Sequence, residues 1–238
     1  MRYLCLDTSN GASMSVVDRT ENTFTTIVKK EMSDSQMHGE KLAVMLEEIL
    51  KALGVQNILE AKIDKVVCSI GPAPFTGLRA GLVTSRIIAK IANVPIVGIC
   101  ALDVLALQGF EQFSDVNEIF VATDAKRKEI YYCIYTKNGM NDVLPVFDVK
   151  VNKPEEALLD VKNAFSEKSC LNSPIVNVGQ GCMKYNDLFP VEKDAPMFVD
   201  SSYMAKIAYY REKNGVNIDK IDPMYLRRPD VCMPKAVK

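Results

Sequence analysis

Apolar runs separated by short polar turns divide the chain into two series of elements that follow the same order. Residues 2–7 (RYLCLD) form a continuous apolar run and read as a buried strand, closed by the polar turn Thr8-Ser9-Asn10-Gly11. Residues 12–17 (ASMSVV) and 23–29 (TFTTIVK) read as two more strands. Residues 38–53 (HGEKLAVMLEEILKAL) repeat their apolar positions at helical spacing and stop before Gly54, a C-terminal capping residue. A strand at 65–70 (KVVCSI), a loop at 71–76, a helix at 77–92, a strand at 96–99 and a helix starting at 102–107 complete the first series.

The order then begins again. Residues 119–123 (IFVAT) form a strand ending in Asp124, and the basic turn Lys126-Arg127-Lys128 leads to a strand at 129–136. A third strand is expected at 143–151, a helix from Pro154 to about Phe165, a strand at 175–178, a short helix at 183–188 and a last helix at 202–213 capped by Asp200-Ser201-Ser202. Asp7 and Asp124 close the first strand of each half. Strands followed by βαβ units indicate an α/β chain of two similar lobes. A duplicated ribonuclease-H-like lobe is the architecture of the actin-like ATPases and sugar kinases, here reduced and partly degenerate. The expected division is 1–110, 111–213 and a tail 214–238 that returns to the first lobe. Gln108-Gly109-Phe110-Glu111-Gln112 marks the interruption between lobes.

The helix at 78–92 carries two apolar stripes. At about 100° per residue, Leu78, Leu82, Ser85, Ile88, Ala89 and Ala92 share one face. Ala80, Val83, Ile87 and Ile91 share the opposite one, and Arg79, Arg86 and Lys90 form a basic seam between them. A surface helix needs one apolar face. The second is explained either by a helix enclosed within its own fold or by a face that meets a partner. In helix 38–53 the wide stripe Leu42, Met45, Leu46, Ile49 and Leu53 reads as core, and Val44 falls among Glu47, Glu48 and Lys51.

Composition narrows the function classes. Lys and Arg number 29 and Asp and Glu 30, a formal charge of −1 that argues against nucleic-acid binding by overall charge. No stretch approaches the roughly 20 apolar residues of a membrane span, and Asp7 arrives too early for a signal-peptide core, so a cytoplasmic protein is expected. Cys5, Cys68, Cys100 and Cys133 lie in apolar runs and read as small core residues. With a single histidine, His38, neither a catalytic Cys/His pair nor a His-based metal motif is expected.

Two loops hold candidate chemistry. Gly71-Pro72-Ala73-Pro74-Phe75-Thr76-Gly77-Leu78-Arg79 joins a buried strand to a helix, where backbone amides can hold a phosphate. No Lys follows the second Gly as in a P-loop, and Pro72 and Pro74 lack donors. A rigid connection with Thr76 as helix cap and a phosphate site with Thr76 and Gly77 both remain open. Asp7-Thr8-Ser9 reads either as a polar strand end or as the place where a nucleotide's metal is met. The basic run 126–128 reads first as a solvated hairpin tip, second as an RNA contact.

Several segments resemble the bacterial TsaB family, also called YeaZ: LCLDTSNGASMSVV, HGEKLAVMLEEIL, SIGPAPFTGLRAGLVTSRIIAKIANVPIVGICALDVLA, TDAKRKEIYYCIY, GQGCMKY and PMYLRRPDV. Together they span almost the whole chain. The family usually has Gly-Ser where Ala73-Pro74 stands, and Asp-Ala-Arg where Asp124-Ala125-Lys126 stands. The resemblance implies a non-catalytic scaffold required by a TsaD homologue, which transfers a threonylcarbamoyl group to adenosine 37 of tRNAs reading A-starting codons. It implies that a small ATPase, TsaE, joins the complex and that tRNA is met weakly or through the partner; with the partner absent, the second apolar stripe of helix 78–92 is expected to be covered by self-association into a homodimer. ATP or ADP enters only at the level of the complex. The implied interface comes from the first two helices: His38, Glu40, Leu42, Met45, Arg79, Val83, Arg86, Ile87, Lys90 and Ile91. The alternatives are a small kinase-like phosphotransferase, which would use Asp7, Thr8, Ser9, Thr76 and Gly77, and a metalloprotease, whose ligands the sequence lacks.

Overall fold

The computed structural model describes residues 1–32, 39–167 and 175–227. Its first half contains β1 (Arg2–Asp7), β2 (Ala12–Thr20), β3 (Thr23–Met32), α1 (Gly39–Ala52), β4 (Lys65–Gly71), α2 (Phe75–Ala92), β5 (Ile96–Cys100) and α3 (Ala101–Gln112). The sheet runs β3-β2-β1-β4-β5, with β1 antiparallel to β2 and parallel to β4. β1 is apolar without alternation because both of its faces are buried. Leu4 and Leu6 join Met14, Val16 and Val66 beneath α1 and α2, while Tyr3 and Cys5 join Val67, Val97 and Ile99 on the opposite face.

The second half contains β6 (Glu118–Asp124), β7 (Ile130–Lys137), β8 (Val143–Pro145), β9 (Lys150–Asn152), α4 (Pro154–Glu167), β10 (Val176–Val178), α5 (Gln180–Lys184) and α6 (Ser202–Lys213). Its sheet runs β10-β6-β7-β8, with β9 also paired to β7. The first strand again lies centrally, antiparallel to the next strand and parallel to the one reached through a helix. The two-lobed, duplicated α/β fold expected from the repeat is therefore present. Three elements differ from expectation. The strand expected at 143–151 is two short strands, because Pro145 cannot donate to a ladder and ends β8. The helix expected at 183–188 is Gln180–Lys184. Gln108–Gln112 is no interruption but the last turn of α3, where a Cβ on Gly109 would lie 2.7 Å from Ile119 Cδ1. A glycine at this position marks close helix–sheet packing.

The largest core lies between the sheets. α3 and α6 fill it with Leu102, Val104, Leu105, Met204, Ala205 and Ile207, against Ile119, Val121, Cys133 and Tyr135 from the second sheet. α6 follows the second sheet in sequence yet packs along β1–β5 of the first. Its start is fixed by Ser201, whose hydroxyl bonds the Ser15 and Ser13 hydroxyls at 2.8 and 2.9 Å instead of capping the helix. Asp200 accepts the Ser202 N–H at 2.9 Å and pairs with Lys29 at 2.6 Å.

Near the other end of α6, the Arg211 guanidinium lies 2.8 Å from Asp103 of α3 and 3.0 Å from Asp142 before β8. Tyr135 donates to Asp103 at 2.8 Å. Burial works against the guanidinium charge, but the two carboxylates outweigh it and hold Arg211 protonated. Beyond α6 the chain runs back over the first sheet, with Gly98 N–H donating to Ile218 O at 2.9 Å and Met224 N–H to Ile70 O at 2.8 Å. A Cβ on Gly98 would lie 2.5 Å from Lys220 O, so this approach requires glycine.

Removing Arg211 leaves two carboxylates buried without their cation. Arg211→Met is expected to cost about 3–5 kcal/mol, seen as a large fall in the thermal midpoint. Lys206→Met breaks the more exposed pair with Glu111 (2.6 Å) and should cost under about 1 kcal/mol. Equal melting of the two variants would show that the Arg211 pair is not a clamp.

Candidate functional site

α2 presents the two stripes anticipated from its periodicity. Leu78, Leu82, Ser85, Ile88 and Ala89 are buried against the sheet. On the other side Val83, Ile87 and Ile91 are 53%, 53% and 55% exposed. The helix is therefore not enclosed by its own fold. Large apolar side chains on a surface carry meaning when they gather, as these do at positions i, i+4 and i+8.

The remaining interface residues expected from sequence divide differently. Leu42 and Met45 are fully buried in the core formed with β1 and β2, so they cannot present themselves to a partner. The same helical period that puts them in one stripe turns that stripe toward the sheet. Val44 is exposed instead, over a groove along β3 bounded by Lys30, Met32 and Glu48. His38 and the Glu40 side chain lie outside the described residues. Arg79 and Arg86 are engaged by the chain itself: Arg79 Nε donates to Tyr225 Oη at 2.8 Å and Arg86 to Ile221 O at 3.1 Å. Tyr225 also packs against Phe75 in a tilted contact, with 4.9 Å between ring centroids. Nothing periodic in 214–227 announces these contacts in sequence. Lys90 is exposed on the last turn.

The strand-end cluster lies beneath the start of α2. Asp7, Thr8 and Ser9 are all buried. Gly77 and Gly81, one turn apart, let α2 rest on Thr8, and a Cβ on Gly81 would fall 2.1 Å from Thr8 Oγ1. That glycine spacing was the available sign that Thr8 is covered. Ser9 donates from both its amide and its hydroxyl to Asp7 Oδ2, at 3.1 and 2.9 Å, while Oδ1 is buried without a partner. Oδ1 belongs to a residue lining a cavity of about 130 Å³ shared with Asn10, Glu31, Met32 and Phe198. Burial pushes the Asp7 carboxyl up to about 6, with the Ser69 and Ser9 bonds opposing in part. Thr76 is not the helix cap: α2 begins at Phe75 with Pro74 in the cap position and no side-chain cap bond.

The equivalent turn in the second half is built differently. Asp124 bonds Lys184 at 3.0 Å and Lys126 at 3.3 Å. Its burial is outweighed by these cations, and its carboxyl lies below the ordinary range. Lys126, Arg127 and Lys128 have φ of 61°, 52° and 63°, three consecutive left-handed residues without a glycine. Such backbone costs about 1–2 kcal/mol per residue. Among the described residues no three His, Cys, Asp or Glu side chains gather to hold a metal, and no helix is long and apolar enough to cross a membrane. Cys5, Cys68, Cys100, Cys133 and Cys182 are buried, and burial raises each thiol.

Over residues 30–229 the chain matches the family described as "TsaD: tRNA N6-adenosine threonylcarbamoyltransferase". It is 28% identical to an uncharacterized protein of Mycobacterium tuberculosis, covering 98% of this chain and 95% of that one. It is 25% identical to the tRNA threonylcarbamoyladenosine biosynthesis protein TsaB of Escherichia coli, covering 95% of each. Among solved structures, YeaZ from Pseudomonas aeruginosa shares the fold at a TM-score of 0.69 and 19% identity, covering 94% of this chain and 100% of that one.

The Asp7 carboxyl gives a pH-dependent test. Its folded value, about 6, lies above the ordinary 3.8, so the folded state binds the proton more tightly than the unfolded state. Stability from this group is therefore full below about pH 4 and is lost as pH rises through 6. Asp7→Asn removes the buried charge and should raise stability at pH 7.5 by on the order of 2–3 kcal/mol, at 1.36 kcal/mol per unit. The gain should vanish near pH 4. A destabilised variant at pH 7.5 would show that the ionised carboxylate is held by a compensating group.

Proposed function

The chain belongs to the TsaD family and, within it, to the TsaB (YeaZ) group, and from that premise we propose that it serves threonylcarbamoyladenosine biosynthesis as a non-catalytic subunit. In this reading it binds a TsaD-type partner through the outer face of α2, and the partner carries out transfer to adenosine 37 of tRNAs reading A-starting codons. The observation that carries the reading is the exposed stripe Val83, Ile87 and Ile91 on a helix whose other face is fully packed. A TsaE-type ATPase joins the assembly, a nucleotide is held only where subunits meet, and the free chain covers the stripe by pairing with a second copy. The work is cytoplasmic.

A kinase-like activity has weaker support. The cavity beside Asp7, at about 130 Å³, is below the roughly 300–1,000 Å³ of small-molecule sites. α2 covers Thr8, and the loop before it has prolines at 72 and 74.

Ile87→Glu is the decisive substitution. Ile87 is half exposed in the free chain, so a carboxylate there stays hydrated and the fold should survive. In a complex the charge must be desolvated at a cost of several kcal/mol, enough to weaken binding by 100-fold or more at 1.4 kcal/mol per decade. Lys90→Glu should weaken binding less, because rim charges are screened. Pull-down with the organism's TsaD homologue, reconstituted tRNA modification and circular dichroism read the three consequences. A folded Ile87→Glu chain that still binds and supports modification would overturn the interface.

A further inference from the structure

The turn joining β6 to β7 places basic residues where backbone conformation argues for glycine. Lys126, Arg127 and Lys128 are all left-handed and all exposed. Gly or Asn adopts this conformation with less strain, so side chains kept there against that preference point to a role for the side chains themselves. The shape is fixed from within. Lys126 N–H donates to Asp124 Oδ1 at 3.0 Å, Glu129 N–H to Lys126 O at 2.9 Å, and Ala125 N–H to Glu129 O at 3.0 Å.

More cations converge on the turn from distant parts of the chain. Lys184, from α5, reaches Asp124 at 3.0 Å. Arg227, from the returning tail, pairs with Glu129. Partial burial, and after it the charge of Arg127, hold Arg227 below its ordinary value. Five cations thus stand with two carboxylates, Asp124 and Glu129, in a chain whose overall formal charge is −1.

We propose that this turn, with Lys184 and Arg227 beside it, is a contact surface for the phosphate backbone of RNA. The −1 balance excludes binding by overall charge but not by a local cluster, and a polyanion rewards several cations at once by releasing its counterions. The identity of that RNA as a tRNA rests on the function proposed above; the surface itself does not.

The test replaces the turn by residues suited to its backbone: Lys126→Gly, Arg127→Asn and Lys128→Gly together. tRNA binding is measured by filter retention from 50 to 200 mM KCl, for the chain alone and for its complex with the TsaD homologue. Loss of three phosphate contacts should lower the slope of log affinity against log salt by about 2–3 and weaken binding about tenfold or more at 100 mM, while the thermal midpoint holds or rises. Lys62→Ser, Lys193→Ser and Lys213→Ser together remove the same charge from exposed positions elsewhere and should leave the slope near that of the parent. Unchanged affinity and slope in the turn variant overturn the proposal. So does an equal loss in the control triple, which would reflect net charge alone. A turn variant that loses partner capture but keeps tRNA binding makes the turn a protein contact and also overturns it. If the parent chain captures no partner yet its own tRNA slope depends on the turn, the RNA surface stands and the subunit reading fails.

Discussion

The Arg211 guanidinium, held between Asp103 and Asp142, is the constraint from which the rest of the arrangement follows. One side chain on α6 reaches α3 and the segment before β8, so it joins the layer between the sheets to the second sheet. A buried ion pair is weak evidence for net stability, because desolvation offsets the attraction. Its strength is as a geometric requirement: any displacement of α6 relative to α3 leaves charges unpaired in a dry core. With the end of α6 fixed, the chain that follows leaves from a defined point and crosses Gly98 and Ile70. There it takes up Arg86 and Arg79 through Ile221 and Tyr225. Two residues of the basic seam of α2, Arg79 and Arg86, are thereby engaged by the chain itself, and the apolar stripe beside them stays exposed together with Lys90.

The two half-molecules reveal how a duplicated fold separates its roles. Asp7 and Asp124 close equivalent strands, yet their carboxyls move in opposite directions. Both are pushed up by burial. Asp124 has Lys126 and Lys184 to reverse the effect, whereas at Asp7 the neutral Ser69 and Ser9 groups oppose it only in part. One strand end has become a rigid, cation-rich turn. The other is sealed under α2 by the Gly77 and Gly81 approach to Thr8. A carboxylate sealed in this way is poorly placed to serve a large nucleotide.

How much of this was legible depends on whether the cause leaves a period in the sequence. The strand order and the two stripes of α2 were legible because burial on one or two faces imposes spacings of 2 or 3.6 residues. The fate of Leu42 and Met45 was half legible: the stripe was plain, but as a partner face it had to be set against the sheet that covers it. The left-handed run at Lys126–Lys128 was illegible, since its usual markers, Gly and Asn, are absent there. So were the tail contacts at Tyr225 and Arg227, which join residues more than ninety positions apart and repeat nothing. Pro145 did announce the break between β8 and β9, and extended apolar residues on both sides masked it.

The exposed stripe also limits what it can do alone. Burying the remaining half of Val83, Ile87 and Ile91 yields roughly 1 kcal/mol for each side chain, about 3 kcal/mol in all. A micromolar complex needs about 8 kcal/mol after the cost of association is met. In the proposed assembly the stripe marks the partner's place without accounting for its affinity. The rest has to come from surface next to α2 that is held in a fixed shape. Tyr225, tilted against Phe75 at the first turn of α2, and Val44, over the groove along β3, border the helices on either side. Such a surface is productive only if it is already formed before the partner arrives, because ordering it on contact would consume the small surplus. A packed inter-sheet core with α6 clamped at both ends supplies that order, which is what the proposed role as a partner-bound subunit requires of this surface.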